Sequence, residues 1–267
     1  MHEIVAAMGS GIRERLVGLC DAIDTRLFGL LDSKRRVADD VHEIRKFGKA
    51  LRGGLVLVGM PGTSLRAVTA VGRLLSAPRD AVSYLKTWHR LGWQERPEGD
   101  DAAVRAVTAM LEKLAHSAGR RPPPEAVAWA VGRIAEVRAA LAGQSEEALL
   151  EHLPQGLCRL QQRVAKRLLK LGMQPRQHPA FHQARKALKA WLGAQALLGQ
   201  LADDACVHLA DLLGDENDLS ALEAWLNARG FSQEMAPLLW QRVSELHHTL
   251  RLDGVAARDA AAQGAPR

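Results

Sequence analysis

His42, Arg45, Lys46 and Lys49 recur as His182, Arg185, Lys186 and Lys189, the same His-x-x-Arg-Lys-x-x-Lys pattern 140 positions later. On an α-helix these offsets place all four side chains within about 100° of one another. Such a row can hold anions through charge-assisted hydrogen bonds, Arg by a fork of donors and Lys as a compact point charge. On a single helix it would ordinarily be just the solvated face. Its duplication argues for two copies of one structural unit with a shared chemistry. The opposite faces are apolar, with Val41, Ile44, Phe47, Leu51 and Leu55 in the first copy and Phe181, Ala184, Leu188 and Trp191 in the second.

A third basic row lies between them. Arg159, Arg163, Lys166 and Lys170, with Arg167 and Gln162 nearby, run along one side of a predicted helix over about 16 Å. Leu157, Leu160, Val164, Leu168 and Leu171 take the other side. Residues 152–202 contain no Asp or Glu. Solvated faces normally mix signs, because like charges one turn apart repel, so this stretch calls for a polyanion. The net charge of +6 and pI near 9.5 agree in direction.

Other chemistries lack their signatures. There is no Gly-rich phosphate loop, nucleophile elbow or paired-carboxylate cluster, so the expectation is a non-enzyme without cofactor or metal. Cys20, Cys158 and Cys206 have no metal-site spacing, sit among apolar neighbours and are expected to be buried thiols of a reducing, cytoplasmic protein. His42 and His182 admit four roles: metal ligand, catalytic base, neutral hydrogen-bond donor to phosphate, or structural tie to another helix. Sharing a face with the cations favours phosphate. Asp80 and Asp218 are expected to be helix N-caps or partners of an Arg on a basic helix.

These residues must be positioned by helices. Aromatics are 4% of the chain and β-branched clusters are scarce, while Leu, Ala, Arg and Glu dominate. Periodicity and breakers predict an all-α protein with helices at 3–31, 36–59, 62–76, 78–93, 100–118, 124–142, 146–172, 178–201, 203–213, 217–229 and 232–252. Pro124 or the prolines before it should open a helix. Leu74 to Asp80, ending 38 residues after His42, pairs with Leu212 to Asp218, ending 36 after His182. The expected organisation is a first half at 1–119, a linker and connecting helix at 120–145, a second half at 146–252 and a disordered tail at 253–267. No apolar run is long enough for a membrane span.

Val41-His42-Glu43-Ile44-Arg45 with Lys49, Leu51 and Arg52, then Leu74 to Asp80, His182 to Lys189 and Leu212 to Asp218, resemble the conserved histidine α-helical domain (CHAD) family. The resemblance implies two antiparallel four-helix bundles related by a pseudo-twofold, with basic helices lining a shared groove or cavity. It also implies inorganic polyphosphate as ligand, Arg52 joining the cations above, and association with polyphosphate granules. Ala50, Ala190 and Leu192 stand where that family carries more Arg, which moves the expected weight toward the helix over 157–171. The competing expectations are a nucleic-acid binder, for which aromatics beside the cations are lacking, and a helical scaffold docking on an acidic partner.

Overall fold

The computed structural model describes residues 11–93, 101–118 and 120–264 and is all-helical over them. Ten α-helices follow one another among the described residues: α1 Ile12–Gly29, α2 Val37–Leu57, α3 Gly62–Leu74, α4 Ser76–Arg90 and α5 Ala102–Ala118, then α6 Pro124–Ala142, α7 Glu146–Met173, α8 His178–Leu197, α9 Asp204–Asn227 and α10 Pro237–Gly264. Residues 3–10 of the first predicted helix lie outside the described residues.

Local chemistry sets several of the ends. Pro124 occupies the first turn of α6 after Pro123, as the prolines required. Ser145 Oγ accepts the Ala148 N–H at the start of α7, and Asp203 caps α9 through the Cys206 N–H at 2.9 Å. The Glu146 carboxylate accepts the Ile12 and Arg13 N–H groups at 2.7 and 3.3 Å, so the first residue of α7 neutralises the N-terminus of α1.

Two cores result, and neither follows the division at the linker. One is built from α1, α2, α3, α6, α7 and α8, the first half of α9 and the end of α10. The other joins α4 and α5 to the second half of α9 and the first half of α10, around Trp88, Trp225 and Trp240. α2 and α8, the two repeat-bearing helices, pack directly on each other. Their backbones meet at small residues: a methyl on Gly53 would stand 2.8 Å from the Ala190 carbonyl oxygen, and one on Gly193 would stand 3.2 Å from Ala50 Cα. α1 packs on α2 as α7 packs on α8, and α4 on α5 as α9 on α10.

Four expectations change. The two helices predicted at 203–213 and 217–229 are one, because Asp215 to Asp218 find partners on neighbouring helices and need no turn. Asp218 is therefore mid-helix and Asp80 the fifth residue of α4, so neither is an N-cap. The tail is helical through Gly264: Ala261 is fully buried, its carbonyl faces Cys206 Sγ, and Gly254 lies against Phe181. Cys20 and Cys206 are buried, burial pushing their thiols up to about 12 and about 11. Cys158 is exposed, because its apolar sequence neighbours Leu157 and Leu160 point to the other side of α7.

Candidate basic site

Burial of Val41, Ile44, Leu51 and Leu55 fixes the roll of α2 and turns His42, Lys46 and Lys49 outward. Arg45 turns toward α3, where Nη1 donates to the Gly72 carbonyl at 2.8 Å, one of the orphan acceptors of that helix end. On α8 the buried Phe181, Ala184, Leu188 and Trp191 fix the roll in the same way. A trough of about 810 Å³ runs between α2, α4, α8 and α9. His42, Arg45, Lys46 and Lys49 line it from α2, and Arg185 and Lys189 from α8. Lys86 of α4 joins them, a cation no sequence spacing singles out. The opposite wall carries Asp211, Asp215 and Asp218. Lys189 pairs with Asp211 at 3.0 Å and Asp215 with Arg90, so part of this charge is already answered within the protein.

A second concentration lies where α2, α3, α7 and α8 converge. The Arg52 guanidinium is pulled below its ordinary value by burial first and then by Arg163 and Arg73. Burial, followed by Arg52, Arg163 and Arg185, does the same to the Lys186 ammonium. Among the described residues none of Arg52, Arg73, Arg163 and Lys186 has a carboxylate partner. Arg73 was not legible in the basic rows, since it ends a different helix. Of the α7 row the structure brings Arg163 into this cluster. Arg159, Lys166 and Lys170 stand on the exposed face of α7, with Arg167 half-buried beside them.

The acidic end of the second duplicated element forms a node that sequence reasoning missed. Glu216 has no exposed surface; it meets His178 Nδ1 at 3.0 Å and Arg251 Nη2 at 3.0 Å. Burial pushes its carboxyl up, but the hydrogen bonds and charges of His178 and Arg251 outweigh that and hold it below the usual range. Ser83 Oγ donates to Asp218 at 2.7 Å, linking α4 to α9. The signal in the chain was four consecutive polar residues inside an apolar periodicity, which resembles a turn as much as a buried node.

Asn217 settles the tautomer of His182. Its Nδ2 donates to Asp218 at 3.3 Å, leaving Oδ1 toward His182 Nδ1 at 2.6 Å. Nδ1 therefore carries the proton, and in the neutral ring Nε2 has only a lone pair. Burial chiefly, with Lys186, His178 and Arg185 adding to it against the Asn217 bond, holds the imidazole below its ordinary value. A neutral His182 is thus a tie between α8 and α9 and has no N–H left for phosphate. His42 is exposed at the rim of the trough. Among the described residues no group of three or more His, Cys, Asp or Glu is arranged to hold a metal.

An all-helical chain is what the CHAD motifs imply, and the sequence matches the CHAD domain over residues 21–227. The chain belongs to that family. It is similar in fold to the crystal structure of the CHAD domain from the plant Ricinus communis, at 20% identity and a TM-score of 0.60, covering 97% of this chain and 92% of that one. PptA from Streptomyces chartreusis is similar at 18% identity and a TM-score of 0.62, covering 95% and 98%. None of the curated proteins matches the chain. No helix among the described residues is long and apolar enough to cross a membrane.

Proposed function

We propose that the protein binds inorganic polyphosphate without turning it over, through cations of α2, α3, α7 and α8. The observation that carries this reading is the convergence of Arg52, Arg73, Arg163 and Lys186, from four helices, with no carboxylate among the described residues to answer them. Cations held within mutual reach destabilise one another, and a linear anion with charge along its whole length relieves that repulsion at several points together. Single exposed contacts contribute only about 0–1 kcal/mol, so affinity depends on the adjoining rows. His42, Arg45, Lys46, Lys49, Arg185 and Lys189 supply one branch along the trough. Arg159, Lys166, Arg167 and Lys170 supply another along α7.

Membership of the CHAD family supports polyphosphate over other polyanions, as does the burial of Trp191, which removes from α8 the ring a base could stack on. The corresponding packing of α1 on α2 and of α7 on α8 supports an internal duplication with a pseudo-twofold at the α2–α8 crossing. A cytoplasmic place at polyphosphate granules belongs to the same reading.

The test is a titration with long-chain polyphosphate, duplex DNA and single-stranded RNA at matched phosphate concentration and several salt concentrations. Polyphosphate should bind tightest, and the triple variant Arg52→Ala, Arg163→Ala, Lys186→Ala should lose about tenfold or more in affinity with its thermal midpoint retained. Tighter binding of DNA or RNA, or an unchanged polyphosphate affinity in the triple variant, would overturn the proposal.

A further inference from the structure

Beside the trough, and sharing Arg45 and Lys49 with it, a cavity of about 210 Å³ opens between α1, α2, α3 and α6. Ile23, Ile44, Val68, Val71 and Ile134 form its apolar floor. Arg52 and Arg73 stand at its mouth, and neither has a carboxylate partner among the described residues. Two helical glycines share the wall with Thr69 and Ser76. A methyl on Gly72 would meet nothing within 4 Å, and one on Gly48 would make only an ordinary 3.6 Å contact with Val68. Both have negative φ, so alanine would fit, and each glycine weakens its helix relative to alanine. The space is kept open against helix propensity.

We propose that this cavity binds a small organic anion with a compact apolar body, the head group on Arg52 and Arg73 and the body against Ile44, Val68 and Val71. A cavity of about 150 Å³ accommodates benzene, so the volume here suits one aromatic ring or a short branched acyl group. Polyphosphate has nothing apolar to offer the floor, and inorganic phosphate would leave it empty. The two arginines match the forked geometry of a phosphate or carboxylate head. Because Arg52 also belongs to the proposed polyphosphate surface, the small anion and polyphosphate should compete. The cavity shares these cations but does not require polyphosphate to be their ligand.

Phenyl phosphate is the probe and inorganic phosphate the control, titrated by calorimetry. Phenyl phosphate should bind about tenfold or more tighter, the gain from burying its ring. Gly72→Leu fills the cavity at a position with open space; its thermal midpoint should not fall, and the preference for the aryl compound should vanish. Gly72→Ala should shrink the preference in the same direction and serves if the leucine variant does not fold. Arg73→Gln should weaken both compounds. Equal affinity for phenyl phosphate and phosphate, or a folded Gly72→Leu protein that keeps the preference, overturns the proposal. Aryl preference in a protein that ignores polyphosphate would support this site while removing the proposed function.

Discussion

Glu216 joins three helices from a position without solvent. Truncation to alanine leaves Arg251 and His178, on α10 and α8, facing each other across a void. Removing one member of a buried charged network costs about 3–5 kcal/mol when the partner is also buried; both partners here reach solvent, so Glu216→Ala should cost about 2–4 kcal/mol in urea unfolding. The carboxyl is held below its unfolded value, so its contribution is full above that value and is lost as pH falls through the lower folded one. Glu223 behaves in the same direction, through its hydrogen bond from His247 first. The acid limb of the stability curve should therefore flatten in the Glu216→Ala protein, and an unaltered limb would show that the node does not govern it. For His182 the folded imidazole is likewise depressed, so the stabilisation is whole above about pH 6.5 and declines as pH drops. The thermal midpoint lost on His182→Gln should be smaller at about pH 5.5 than at about pH 7.5. A larger loss at the lower pH would mean that the folded protein favours the imidazolium, opposite to the depressed value that burial imposes. Chain spacing revealed that His182 shares a face with Lys186 and Lys189, but not that Asn217, 35 residues away, would take its one N–H.

At the scale of elements, the helices legible in the chain were those whose buried stripe is continuous. α2, α7 and α8 each have one, and their cationic rows followed by geometry. α9 was divided in the prediction because Gly214 and the polar residues after it mimic a break; only the partners on α4, α8 and α10 explain why the helix continues. The end of α10 was equally hidden, since Ala, Gly and Asp carry no hydrophobic signature, yet Ala261 and Gly254 are small enough to lie against Cys206 and Phe181. The convergence of α2 with α7 depends on one such residue. A methyl on Gly156 would overlap the backbone of Leu57, which no rotamer change relieves. Gly156→Ala should lower stability by about 1–3 kcal/mol or more and move Arg163 away from Arg52, whereas Gly18→Ala, with nothing within 4 Å, should be neutral or stabilising by about 0.4–1 kcal/mol. Chemical denaturation of both variants gives the comparison; equal effects would mean that the α2–α7 approach is not limiting.

For the molecule as a whole, charge and core are distributed differently. Each core takes helices from both sides of residues 120–123, so the basic helices α2, α7 and α8 belong to one packed body and hold fixed spacing. Within it, the cations of the trough face Asp211, Asp215 and Asp218, while those around Arg52 pair with no carboxylate among the described residues. A polyanion arriving from solvent should therefore anchor at the second group and extend from it. The α7 row decides how far. Arg159, Lys166 and Lys170 are exposed, away from the buried face of Leu160, Val164, Leu168 and Leu171, so changing all three to alanine removes charge without opening the core. Stability should stay within about 0.5 kcal/mol. If a long chain runs along α7 after anchoring, these variants lose affinity for long polyphosphate and not for a chain too short to reach beyond Arg163. The dependence of log affinity on log salt should also become shallower for the long chain, because fewer counterions are released. An equal loss for short and long chains would place these cations in a general electrostatic field instead of a track, and no loss at either length would leave the trough as the only route.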